Sequence, residues 1–201
     1  MSEVAAPVDV DIRRRNRGRL VLGIFLVICA APIVASYLAY YVVKPSSRTN
    51  YGTLIEPQRP VPSLAATTLD GQPFDLSSLA GKWLMVTVDR ARCDVPCATK
   101  LFEMRQLRLV VGKDQDRIER VWFITDEALV PAAVLAAYPG TVMLRANETT
   151  LSQWLPADDS IANHLFLVDP HQHLMMRFPN DADPYRIKRD LTKLLGASEI
   201  G

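Results

Sequence analysis

The chain of 201 residues predicts an α/β domain, a mixed central sheet flanked by helices, behind one N-terminal membrane-spanning helix. Three observations predict it. A long uncharged apolar run follows a cluster of arginines near the N-terminus. Further on, continuous apolar runs alternate with segments of helical period and end in a hairpin and a last helix, the layering of a mixed sheet. Two of the three cysteines sit together at the first strand-to-helix junction.

The apolar run extends from Leu20 to Val43. As a helix it reaches about 36 Å at ~1.5 Å per residue, enough to cross a hydrocarbon core of ~30 Å with some tilt. Tyr37, Tyr40 and Tyr41 lie near one end, where amphipathic rings favour the interface. A cleaved signal peptide competes, but its apolar core is shorter and a small-x-small site should follow it; this run ends in Tyr-Tyr-Val-Val-Lys. Arg13, Arg14, Arg15, Arg17 and Arg19 precede the span and only Lys44 and Arg48 follow it closely, which places the N-terminus in the cytoplasm. The expected organisation is a basic cytoplasmic N-terminus (1–19), a transmembrane helix (20–43), an extended proline-rich linker (44–62) and a periplasmic domain (63–198), all on the inner membrane. Net charge is +1, which gives no support to a nucleic-acid partner.

Within the domain, "TTLDGQPFDL" reads as a hairpin turning at Asp70-Gly71, and "WLMVTV" (83–88) as a strand buried on both faces. A helix after the cysteines carries Cys97, Leu101, Met104, Arg108 and Val111 on one face. "RVWFIT" (120–125) and "TVMLR" (141–145) are further strands. Pro131 to Tyr138 and "TTLSQWL" (149–155) read as short helices. "HLFLVDPHQHLMMRF" makes two strands around Asp169-Pro170. The last helix has Asp183 as N-cap and Pro184 in its first turn, buries Ile187, Leu191 and Leu194, and stops at Gly196. Trp83, Trp122 and Trp154 read as core aromatics, and of Met175 and Met176 one faces the core.

"RARCDVPCATKL" places Cys93 in the loop and Cys97 in the first helical turn, with Asp94 as N-cap and Pro96 where its missing N–H costs nothing. The free N–H groups of that turn favour thiolate over thiol, the form that attacks disulfides and binds soft metals. Arg90 and Arg92 add to that field and Asp94 opposes it. Four-residue spacing allows a disulfide, and its wider bite also allows two sulfurs to hold one Cu(I) or Zn(II). In an exported domain these thiols need protection or a use. Cys29, inside the span, reads as a small apolar residue. The histidines are His164, His171 and His173. The last two read as polar turn residues, and His164 lies before a strand, where it can be a core residue or a ligand.

The chain resembles the SCO/SenC family of membrane-anchored thioredoxin-fold copper chaperones, which assemble the binuclear copper centre of cytochrome c oxidase. The marks are "LDGQPFDLSSLAGKW", "CDVPCATKL", "VWFITD" and "LFLVDP", over most of residues 60–195. The resemblance implies a thioredoxin-like fold, Cys93 and Cys97 as thiolate ligands of Cu(I), and a cytochrome c oxidase subunit or other exported thiol or copper client as partner. Asp126 matches an acidic position, but "EALVPAA" replaces the family's longer charged motif. Anchored on "FLVDP", the family's distal histidine falls near Ile161, where this chain has none. His164, three residues on, is the nearest candidate for the third metal ligand, and an odd shift along a strand turns a side chain to the other face. Three readings follow: a copper-handling assembly factor using Cys93, Cys97 and His164; a thiol-disulfide oxidoreductase with Cys93 attacking and Cys97 resolving; and a docking module with a static disulfide.

Overall fold

The computed structural model describes residues 8–39, 41 and 50–198, in two compact units divided after Arg48. In the first, helix α1 covers Val8–Leu38, and Arg17–Leu38 is long and apolar enough to cross a membrane. Pro32 lies inside it. The far end of the expected span (40, 42 and 43), the first residues of the linker (44–49) and residues 1–7 of the basic N-terminus lie outside the described residues.

The second unit contains an eight-stranded sheet. Its strands are β1 (Thr53–Pro60), β2 (Ala66–Thr68), β3 (Pro73–Phe74), β4 (Trp83–Asp89), β5 (Ile118–Ile124), β6 (Val142–Arg145), β7 (Leu165–Val168) and β8 (His173–Arg177), in the spatial order β1-β8-β7-β4-β5-β6-β2-β3. The three strands β4, β5 and β6 run parallel, and every other pairing is antiparallel. Helices α2 (Val95–Val110), α3 (Ala132–Ala137), α4 (Glu148–Trp154) and α5 (Pro184–Ala197) connect or follow the strands. The sheet is mixed because β4 and β5 are joined by a helical crossover, whereas β7 and β8 meet at a tight turn. This is a thioredoxin-like fold.

Side-chain alternation divides the core into two layers. Met85, Ile118, Trp122, Ile124, Leu165 and Leu167 face α2 and α5, where Cys97, Leu101, Met104, Ile187 and Leu191 meet them. Leu84, Val86, Phe123, Phe166 and Val168 face the other way, against Leu151 and Trp154 of α4. Leu107 rather than Val111 completes the buried face of α2, and Leu195 rather than Leu194 that of α5. Helix α5 also runs through Gly196 to Ala197.

The stretch expected as a free linker is in part a strand. Residues 53–60 are extended, as their prolines suggest, but pair with β8 at the sheet edge. Proline is tolerated there because one side of an edge strand needs no partner, and the pairing shifts register between Leu54 and Arg59, around Pro57. The entry to this strand is pinned by buried Asp190 of α5, whose Oδ2 accepts from the Tyr51 and Gly52 N–H groups at 2.6 and 2.9 Å. Gly52 has no room for a side chain: a Cβ would run into Met176 Sδ and lie 2.9 Å from Phe178 Cε1.

Candidate functional site

The cysteines sit where the sequence places them. β4 ends at Asp89, and the following loop is tied to the end of β5 by two bonds. Thr125 N–H donates to the Asp89 carbonyl at 3.1 Å, and Ala91 N–H to Asp126 Oδ1 at 3.0 Å. The Asp126 loop is held in turn by Arg145 of β6, which donates to the carbonyls of Asp126 and Ala128. Asp94 caps α2, accepting the Cys97 N–H at 3.3 Å, with Pro96 in the first turn. Cys93 adopts a left-handed backbone, φ 46°, uncommon for a residue with a side chain.

Cys93 and Cys97 are joined as a disulfide with Cα atoms 5.0 Å apart. The wider spacing therefore does not hold the sulfurs apart. Cys97 is fully buried and Cys93 partly exposed. Around them Arg90, Arg92, Val95 and Pro96 are exposed, Val95 at 79%. This is the arrangement thiol-disulfide exchange needs: one sulfur open to attack and a second protected behind it.

His164 is elsewhere. Strand β7 alternates between the layers, and His164 shares the parity of Phe166, on the face away from α2, with its ring edge-on to the Phe166 ring at 6.0 Å. The ring is buried, and both nitrogens are engaged. Nδ1 donates to the Phe178 carbonyl at 2.8 Å, and Nε2 meets Asp159 Oδ1 at 2.5 Å. The Asn163 side chain and then His164 hold the Asp159 carboxyl below its usual range. The structure thus does not bring His164 to the cysteines. His171 and His173 lie at the β7–β8 turn, at the opposite end of β7 from His164. Because β7 is antiparallel to β4, with Thr87 opposite Leu165 and Leu84 opposite Val168, that turn is remote from the cysteine end of β4. Among the described residues no group of three or more His, Cys, Asp or Glu side chains is placed to hold a metal ion, and a copper site made of Cys93, Cys97 and His164 does not fit this arrangement.

Two features escape sequence reasoning. Lys100, one turn after Cys97, fastens α2 to its surroundings: Nζ donates to Asp89 Oδ2 at 2.9 Å, to the Val88 carbonyl and to the carbonyl of Ala162. Ala162 adjoins Ile161, the position where the resemblance expects a histidine, and Ile161 is itself buried in the α4-side core. An isolated lysine near a cysteine was the available signal. The second feature is a groove of about 250 Å3 that runs from Val95 and Pro96 past Glu103 to Asn180 and Asp181. Burial first, and the nearby Asp181 charge second, hold the Glu103 carboxyl above its ordinary value. A raised carboxyl favours the fold only while protonated, so its stabilising contribution is present at acid pH and is lost as pH rises through the folded value. Glu103→Gln is therefore expected to raise Tm by about 1 °C at pH 7 and to leave it unchanged at pH 3.5 or below, as read by thermal melts at both pH values. A larger hollow of about 580 Å3 lies between residues 61–66 and 73–77 beside Gln172, at the β7–β8 turn end of the sheet.

Comparison with known proteins decides the family. The family model of the transmembrane-like, thioredoxin-like C-terminal domain matches residues 83–198, more than half of the chain. The chain belongs to that family. No curated protein matched it by sequence. Among solved structures, this transmembrane-like, thioredoxin-like chain is similar to copper-bound ScoI of Bradyrhizobium japonicum, at 19% identity and a TM-score of 0.51 over 67% of this chain and 98% of that one. It is also similar to copper-bound yeast Sco1, at 16% identity and TM-score 0.55 over 72% and 96% of the two chains. A third is BsSco, a member of the Sco family of cytochrome c oxidase assembly proteins in which a disulfide switch was identified, at 16% identity and TM-score 0.54 over 73% and 99%. At these identities the likeness is one of fold.

Proposed function

We propose that this chain is a membrane-anchored thiol-disulfide exchange protein of Sco-like fold, serving an exported client. The observation that carries the reading is the Cys93–Cys97 bond at the start of α2, with Cys97 buried and Cys93 accessible. In the reduced chain the Cys93 thiolate attacks a client disulfide and one client sulfur leaves as a thiolate. The Cys97 thiolate then attacks the Cys93 sulfur, releasing the second client thiol and closing the disulfide present in this structure. Two electrons pass to the client, and its thiolates take up protons at neutral pH. The helix N-terminus and the exposed arginines favour the thiolate needed for the first step.

Copper enters this reading as cargo. Reduced Cys93 and Cys97 offer two soft donors that favour Cu(I), and the copper-bound structures of similar fold support a client that matures a copper centre. The client class is thus an exported cytochrome c oxidase subunit or another exported thiol or copper protein. The arginine cluster in the first turns of α1, ahead of its apolar stretch, supports an N-terminus in the cytoplasm and residues 63–198 in the periplasm, anchored in the inner membrane.

Differential alkylation tests the roles of the two sulfurs. In a brief pulse of iodoacetamide on the reduced full-length chain in detergent, Cys93 is expected to be modified about tenfold faster than Cys97, because thiol reactivity follows exposure and thiolate fraction. Protection of both thiols until denaturant is added would mean a static structural pair.

A further inference from the structure

Val95 and Pro96, exposed together with Asp94 between the cysteines, line the groove beside α2. A segment whose cysteine has reached Cys93 is therefore led directly into it. Glu103 lies six positions after Cys97, about 9 Å further along the helix axis. Asp181 stands near it in the loop between β8 and α5. Neither carboxylate has an ion-pair or hydrogen-bond partner among the described residues. Among the described residues the one cationic side chain lining the groove, Lys100, is engaged by Asp89 and two carbonyls. The groove thus carries two acidic groups without a cationic partner among the described residues, Glu103 partly buried and Asp181 exposed, a setting that favours a cation supplied by a ligand.

We propose that Glu103 and Asp181 select the client: the groove takes an extended polypeptide segment that carries a lysine or arginine about three residues from its reacting cysteine. The spacing follows from geometry, since an extended chain covers ~9 Å in about three residues. The occupant is a polypeptide because the groove is lined by the apolar pair Val95 and Pro96, which lie in the chain between the two cysteines. The selected charge is positive because the far end is acidic. This rests on the exchange reading above and assigns its substrate class.

The test uses the reduced full-length chain in detergent and three synthetic peptides. Each has one cysteine, as its mixed disulfide with thionitrobenzoate, and a Lys, Gln or Glu three positions away. Attack by the Cys93 thiolate on the peptide sulfur releases thionitrobenzoate, which reports the rate. The Lys peptide is expected to react about tenfold faster than the Glu peptide at low ionic strength, since charge complementarity acts chiefly on encounter rates. The difference should shrink at ~1 M salt, where the screening length is about 3 Å. Glu103→Gln combined with Asp181→Asn should bring the ratio of the Lys-peptide to the Glu-peptide rate close to one. Asn tolerates the left-handed backbone at position 181, φ 51°, so the loop keeps its shape. Equal rates for the three peptides in the unmodified chain, or a ratio that survives the double substitution, would overturn the selectivity while leaving the exchange reading intact. A chain that releases thionitrobenzoate from none of the peptides and also fails to reduce glutathione disulfide overturns both.

Discussion

Full-length chain carrying Cys97→Ser is expected to accumulate a mixed disulfide between Cys93 and its client, approaching one client per chain, because the second sulfur that releases the client is gone. Cys93→Ser should give no adduct, since Cys97 is fully buried and cannot be reached by a client sulfur. The asymmetry between the variants is the signature of an attacking and a resolving thiol. Loss of the cross-link should not unfold the domain. The loop it closes is short, so its removal costs about 2 kcal/mol on chain-entropy grounds, and both layers of the core remain. Non-reducing electrophoresis followed by mass spectrometry of the adduct reads the outcome. Equal trapping by the two variants would remove the assignment of roles.

His164→Ala is expected to act on stability and not on the cysteines. The substitution leaves the Phe178 carbonyl without its Nδ1 partner and opens space beside Phe166. Together these should cost about 2–3 kcal/mol, seen as a lower urea midpoint. The reduction potential of the Cys93–Cys97 pair and its affinity for Cu(I) should stay as in the unmodified chain. A variant of normal stability that has lost tight Cu(I) binding would place His164 at the cysteines after all and restore the three-ligand copper site.

Much of the fold was legible because it is written in local patterns. The apolar runs at 83–88 and 120–125 are buried strands, the Asp70-Gly71 turn joins β2 to β3, with Gly71 at φ 78°, and Asp94 and Asp183 cap α2 and α5. The place of the cysteines followed from the same signals. That His164 faces away from them was not legible from strand alternation, since residues 161–163 form a 3-10 turn and Ile161 and His164 both lie on the α4 side. Other features were not legible, because they are made by pairing distant segments. β1 reads as a linker until β8 offers it an edge, since prolines signal extended chain without signalling a partner. Lys100 is one polar residue on a helix until the fold brings Asp89 and Ala162 to it. Glu103 and Asp181 are 78 residues apart in sequence, and no spacing rule connects them. Nor does a four-residue interval say whether two sulfurs close on each other, which depends on the left-handed turn at Cys93.

The most direct measurement is the reduction potential of the Cys93–Cys97 pair in the full-length chain, titrated against glutathione redox buffers. A working couple predicts reversible two-electron behaviour at a potential above about −300 mV, within reach of thiol partners, with the domain folded at both ends of the titration. A potential well below that value, or reduction only on unfolding, would contradict exchange and leave the pair as a structural disulfide.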